Sequence, residues 1–137
     1  MTRSELREQM FRLCFSIEFI DSDEFEEQIT LYFENQVDVS EKNRVYIKTR
    51  ALDMMSHLEE IDSKIGSYSQ GWNIARLGKA ELSILRLAIY EILFDDDIPG
   101  NVAISEAVKI TNQYCDEKAK SFINGILGKI EKDEANQ

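Results

Sequence analysis

The run LGKAELSILRLAIYEILFDDDIPG, from Leu77 to Gly100, constrains the fold more than any other stretch of the chain. Leu82, Leu85, Ile89, Ile92 and Leu93 recur at the spacing that lines up one side of a helix. Ile84, Ala88 and Tyr90 widen that side until the helix is apolar over much of its circumference. A helix of that kind has little face to offer water and must be wrapped by other elements. The run therefore predicts a buried central helix in the second half of the chain. Asp95, Asp96 and Asp97 followed by Pro99-Gly100 end it: proline disfavours helix in the residue before it, and glycine permits the turn.

The helical period runs through the remaining sequence as well. Thr2-x-x-Glu5 has the form of a capping box, in which each side chain satisfies a backbone N–H at the start of a helix. Leu6, Met10, Leu13, Ile17 and Ile20 then form one apolar stripe, with Cys14 at its edge. Phe11, Phe15 and Phe19 make a second row, which must be buried or presented to a partner. Ser22 or Asp23 can cap a second helix carrying Phe25, Ile29, Tyr32 and Phe33, with acids in its first turn. Ser40 is placed to cap a long third helix reaching Ser63 or Ile65, with Gly66 near its end. Residues 66–71 form a turn-rich connector, and a short helix is expected around Trp72–Leu77. A helix starting near Asn101 carries Val102, Ile104, Ala107 and Val108. The last begins near Asp116–Lys118, carries Phe122, Ile123, Ile126, Leu127 and Ile130, and frays into EKDEANQ. No strand-like alternation appears. The expectation is an all-α chain of about seven helices, a single domain over 1–137 with an N-terminal half 1–67 and a C-terminal half 68–137.

Several polar residues inside these helices call for structural roles. Arg86 and Glu91 lie within the apolar run and are expected to be ion partners. Lys42, Arg44, Lys48 and Arg50 form a short basic cluster expected to pair with nearby acids. Gly125 is expected to let another helix approach closely.

Charge and motifs narrow the function. Sixteen Lys and Arg against 26 Asp and Glu give a net charge of −10, which opposes nucleic-acid binding by the chain alone and suits a basic protein partner. No phosphate-binding glycine loop, dinucleotide fingerprint or nucleophile elbow occurs. His57 is the only histidine, so neither a nucleophile–base pair of the usual kind nor a metal site is supported. The three acids at 95–97 lack the spacing of a calcium loop. Cys14 and Cys115 lie far apart in sequence and are expected to be reduced core thiols. No apolar run approaches membrane-spanning length and the N-terminus has no secretory h-region, so the expected compartment is the cytoplasm. A non-enzymatic chain without a cofactor is expected.

Three blocks carry a family resemblance. Trp72-x-x-x-Arg76-Leu77 precedes Ile84-Leu85-Arg86-Leu87-Ala88-Ile89-Tyr90-Glu91; Ile98-Pro99-x-x-Val102-Ala103-Ile104-x-Glu106-Ala107-Val108 follows; Phe122-Ile123-Asn124-Gly125-Ile126-Leu127 closes the series. In this order and at this spacing the chain resembles the transcription antitermination factor NusB family. The resemblance implies two packed helical bundles and an adaptor that pairs with NusE, a ribosomal protein, to bind the boxA element of nascent ribosomal RNA. That pair loads an antitermination complex onto RNA polymerase. The resemblance also implies that a homodimer can form and cover the RNA surface. Two other readings stand beside it: a purely structural homodimer through the Phe11/Phe15/Phe19 row, and a detached module related to the N-terminal domain of ribosomal RNA cytosine methyltransferases.

The resemblance implies RNA-binding residues as well. Arg3 and Arg7 match the basic first-helix segment of the family, and Phe15 matches a first-helix aromatic. Phe122 is the second ring on which a base could stack, and Glu81 is an acceptor for base amino groups. Lys118 and Lys120 add positive charge beside Phe122 and are expected to offset the thin N-terminal basic motif. Alternative roles are a core position for Phe15, interior packing for Phe122 and helix capping for Glu81.

Overall fold

Ten consecutive residues, Leu82 through Glu91, are all buried in a helix that fills the centre of the second of two compact units. The computed structural model describes residues 1–17, 22–34, 38–69 and 77–135. Phe19 and Ile20, and the short helix expected at Trp72–Leu77 apart from Leu77 itself, lie outside the described residues. Among the described residues the regular structure is helical throughout: α1 (Arg3–Ile17), a 3₁₀ turn (Ser22–Glu24), α2 (Phe25–Glu34), α3 (Glu41–Ser56), α4 (Leu58–Tyr68), α5 (Lys79–Phe94), α6 (Gly100–Tyr114) and α7 (Glu117–Ala135). None of these helices is long and apolar enough to cross a membrane.

The first unit, Met1–Ser56, packs α1 against α2 and α3, and α2 against α3. The capping box at its start forms in both directions. The Glu5 N–H donates to Thr2 Oγ1 at 3.1 Å, and the Thr2 N–H donates to Glu5 Oε1 at 3.4 Å. Ser40 caps α3 as its position predicts, accepting the Asn43 N–H on Oγ at 3.2 Å. Leu13, Cys14, Phe25, Ile29, Ile47 and Met54 are sealed from solvent and form the core of this unit. Cys14 is a free thiol whose S–H points at Met54 Sδ, 3.6 Å away. Of the basic cluster, Lys48 lies 3.6 Å from Glu26, while Arg44 and Arg50 sit over the rings of Phe33 and Tyr46 at 5.8 and 3.7 Å.

The second unit, His57–Gln137, surrounds α5 with α4, α6 and α7, and α7 also touches α4 and α6. Ile61, Ile65, Leu85, Leu87, Ile89, Ile123 and Leu127 supply its core. At about 1.5–3 kcal/mol for each large apolar side chain removed from water, this burial is the main source of its stability. Arg86 is tied into the core by a two-pronged bond to Asp62 of α4: Nε to Oδ1 and Nη2 to Oδ2 are both 2.8 Å. The structural role expected of Arg86 is thus met, with the partner on a neighbouring helix. Among the described residues, every buried side-chain nitrogen or oxygen has a hydrogen-bond partner.

The structure departs from the sequence reading at four points. The long third helix is two helices: His57 leaves helical geometry (φ −107°, ψ 9°) and α4 starts after it. The apolar period survives the interruption, because buried Met54 and Ile61 are two helical turns apart across it. The His57 ring instead stacks on Phe94 of α5, with centroids 3.9 Å apart and planes 11° from parallel. The first compact unit ends with α3 at Ser56, and the second begins at His57. α4 runs past Ser63 and Ile65 to Tyr68, with Gly66 in its last turn. The last helix does not fray at residue 131 but continues to Ala135, with the Tyr68 hydroxyl donating to Asp133 near its end. Gly125 is exposed, and a Cβ there would meet nothing within 4 Å, so it mediates no close helix contact.

Candidate functional site

The first turns of α5 and α7 meet beside the end of α6 in the second unit. α6 stops at Tyr114, and Cys115 donates its N–H to the Thr111 carbonyl at 2.8 Å. Asp116 then caps α7, its Oδ1 accepting the Ala119 N–H at 2.8 Å. On the facing element, α5 begins after Gly78, an extended residue that carries no side chain to serve as a cap. Leu77, Gly78 and Glu81 on one side, and Asp116, Lys118, Ala119 and Phe122 on the other, line a cavity of about 230 Å³. That is below the roughly 300–1,000 Å³ of a pocket for a drug-sized ligand and suits one small planar group.

Three of the residues expected from the sequence therefore share one wall-to-wall space: Glu81, Lys118 and Phe122. Phe122 is half-buried, Glu81 is half-buried and Lys118 is exposed. The half-buried ring resolves the choice between packing and exposure: it does both. Lys120 is half-buried two residues before Phe122 and does not line the cavity. Glu81 stands in the first turn of its helix, where a carboxylate is favoured by the positive end of the helix dipole.

Each side of the cavity carries an acid, Glu81 on α5 and Asp116 at the start of α7. Burial, then Glu81, then Asp116 push the half-buried Cys115 thiol up to about 11. At neutral pH it stays an uncharged S–H, the less nucleophilic form. Asp116 and Gly78 were not singled out by the sequence as site residues. Asp116 carried a signal as a helix start, but only the packing of α5 on α7 brings it to Glu81.

The remaining three expected residues belong to α1 of the first unit. Arg3 is exposed, whereas Arg7 is buried, with 5% exposure. This differs from the expectation of a solvent-facing arginine row. The reason is helical geometry: Arg7 is one turn before Phe11 and two before Cys14, both of which face the core. Phe15 reaches 36% exposure, past buried Phe11, whose ring is 6.4 Å away and tilted by 45°. Phe15 is therefore a rim residue rather than a core one. Among the described residues no group of three or more His, Cys, Asp or Glu is placed to hold a metal ion.

Comparison with known proteins places the chain in a family. The model of the NusB family matches residues 4–132. The chain belongs to the NusB family. It is 41% identical over 130 residues to the transcription antitermination protein NusB of Lachnoclostridium phytofermentans, covering 95% of this chain and 98% of that one. It is 46% identical over 132 residues to the protein of the same name from Acetivibrio thermocellus, covering 96% and 90%. The solved structure of T. maritima NusB superposes with a TM-score of 0.83 at 32% identity, over 97% of this chain and 92% of that one. A chain in the crystal structure of a plectonemic RNA supercoil gives the same TM-score at 28% identity, over 97% and 96%. The likeness to T. maritima NusB agrees with the all-helical class.

Proposed function

We propose that this chain is a non-enzymatic, RNA-binding adaptor of transcription antitermination that acts in the cytoplasm on ribosomal RNA synthesis. It holds boxA-type single-stranded RNA jointly with the ribosomal protein NusE and carries both to RNA polymerase. Membership of the NusB family supports the general role, and the names of its relatives state antitermination directly. The observation that carries the RNA reading is the convergence of a ring, an ammonium and a carboxylate, Phe122, Lys118 and Glu81, on one small cavity.

These three groups divide the work of recognising a single-stranded nucleotide. The Phe122 ring takes the face of an unstacked base, a contact worth about 1–3 kcal/mol. Glu81 accepts hydrogen bonds from N–H groups on the base edge. Lys118, with Lys120 behind it on the same helix, attracts the phosphates. Arg3 and Phe15 on α1 are further RNA-contacting residues, and buried Arg7 supports that helix from within. The net charge of −10 makes the chain a weak RNA binder by itself, and a basic partner supplies the missing attraction.

The test is an RNA titration with a boxA-type single strand, first with this chain alone and then with NusE present. Weak binding alone and tight, salt-sensitive binding together are expected. Equal affinity with and without the partner, or no binding in either case, would reject the adaptor reading.

A further inference from the structure

The start of α5 contains a steric relationship that neither capping nor packing requires. Gly78 precedes the helix with φ −63° and ψ 151°, a backbone geometry that any residue adopts without strain. Glycine is therefore not needed there for its freedom of φ. What a larger residue would meet is Glu81. A Cβ at position 78 would lie 2.0 Å from Glu81 Oε2, 2.9 Å from its Cδ and 3.2 Å from Oε1. The three atoms nearest that point all belong to this one carboxylate.

The carboxylate thus occupies the volume that a side chain at 78 would take. It is folded back over the first turn of α5, where the leading N–H groups have no carbonyl partner within the helix. The first bond inside the helix runs from the Leu82 N–H to the Gly78 carbonyl at 3.0 Å. Gly78 and Glu81 both line the cavity that holds Phe122 and Lys118. A displaced carboxylate would swing away on a flexible side chain, so the helix itself has no reason to break.

We infer that Gly78 is a positioning residue for Glu81, and that its missing side chain sets which bases the cavity accepts. Held over the helix start, the carboxylate presents lone pairs only, so it favours the exocyclic amino group of cytosine over uracil, whose one ring N–H is flanked by two carbonyl oxygens that repel it. This rests on the reading of the cavity as an RNA site.

The experiment is a double-mutant cycle on the complex with NusE. Gly78→Ala, Glu81→Ala and the double variant are titrated with two boxA-type single strands that differ by cytosine or uracil at one position, scanned along the strand. Gly78→Ala is expected to weaken the cytosine strand about tenfold, the loss of one hydrogen bond to a charged group, and to leave the uracil strand unchanged at the recognised position. In the Glu81→Ala background the same methyl group meets no carboxylate and changes nothing further. Circular dichroism and melting temperature of Gly78→Ala should match the parent, which separates positioning from folding. Equal losses from Gly78→Ala in both backgrounds would overturn the inference, as would full affinity in Gly78→Ala when Glu81→Ala is weakened. Undiminished binding by Glu81→Ala would reject the use of the cavity for RNA and the positioning role with it.

Discussion

Replacing Asp62 by alanine tests how α5, with ten consecutive buried residues, is held to α4. The Arg86 side chain is 9% exposed and the Asp62 side chain 28% exposed. Two bonds of 2.8 Å match the fork of the guanidinium to both carboxylate oxygens. Removing the carboxylate leaves a charged guanidinium in the core without its main counter-ion. Breaking a buried pair from one side costs about 3–5 kcal/mol. The partial exposure of Asp62 lets water reach the vacated space, so the lower end applies, about 3 kcal/mol. Urea denaturation followed by circular dichroism measures this directly; with a slope of about 1–3 kcal/mol/M the midpoint should fall by about 1–3 M. Arg86→Lys should show a smaller loss, because an ammonium reaches the carboxylate without the two-pronged geometry. An Asp62→Ala protein within about 1 kcal/mol of the parent, at unchanged slope, would refute the reasoning and show that this pair does not hold the helices together.

Other consequences follow from the same unit. Ile123 is fully buried in α7, so Ile123→Ala should destabilise the protein by about 2–5 kcal/mol in the same denaturation assay. The Cys115 thiol, raised from 9.0 to about 11, should be ionised in about one molecule in ten thousand at pH 7, and iodoacetamide should modify it slowly until the pH approaches 11. Glu81→Gln should speed that reaction at pH 9 by removing a charge that holds the proton on. Because the folded value is the higher one, the thiol favours the fold below about pH 9, and that contribution is lost as pH rises through 11. Unfolding followed against pH should show the decline on the alkaline side.

The parts of the fold that depend on neighbours in sequence were legible before the structure. Thr2 with Glu5, Ser40 with Asn43 and Asp116 with Ala119 are caps written within four residues of each other, and each forms. The apolar circumference of α5 likewise announced a central helix, because nothing but other helices could cover it. What depends on contacts between distant residues was hidden. The interruption at His57 leaves the apolar period intact and shows only when the ring finds Phe94. The burial of Arg7 follows from which face of α1 meets α3, and arginine as a residue type suggests the opposite. Glu81 and Phe122 entered through family resemblance and Lys118 through its charge beside Phe122, and spacing alone says nothing of their convergence; the packing of α5 on α7 accounts for it. The volume that Gly78 cedes to Glu81 has no trace in composition or period.

The central claim is that the Phe122 side of α7 meets RNA. The most direct measurement compares the Lys118→Glu, Lys120→Glu double variant with the parent, each in complex with NusE, by titrating a boxA-type single strand over a range of salt. Weaker binding at low salt is expected, with an unchanged circular dichroism spectrum. The salt slope should shrink by about 1.4, the contribution of two phosphate contacts on single-stranded RNA. Parent-like affinity and slope in a folded double variant would contradict the claim.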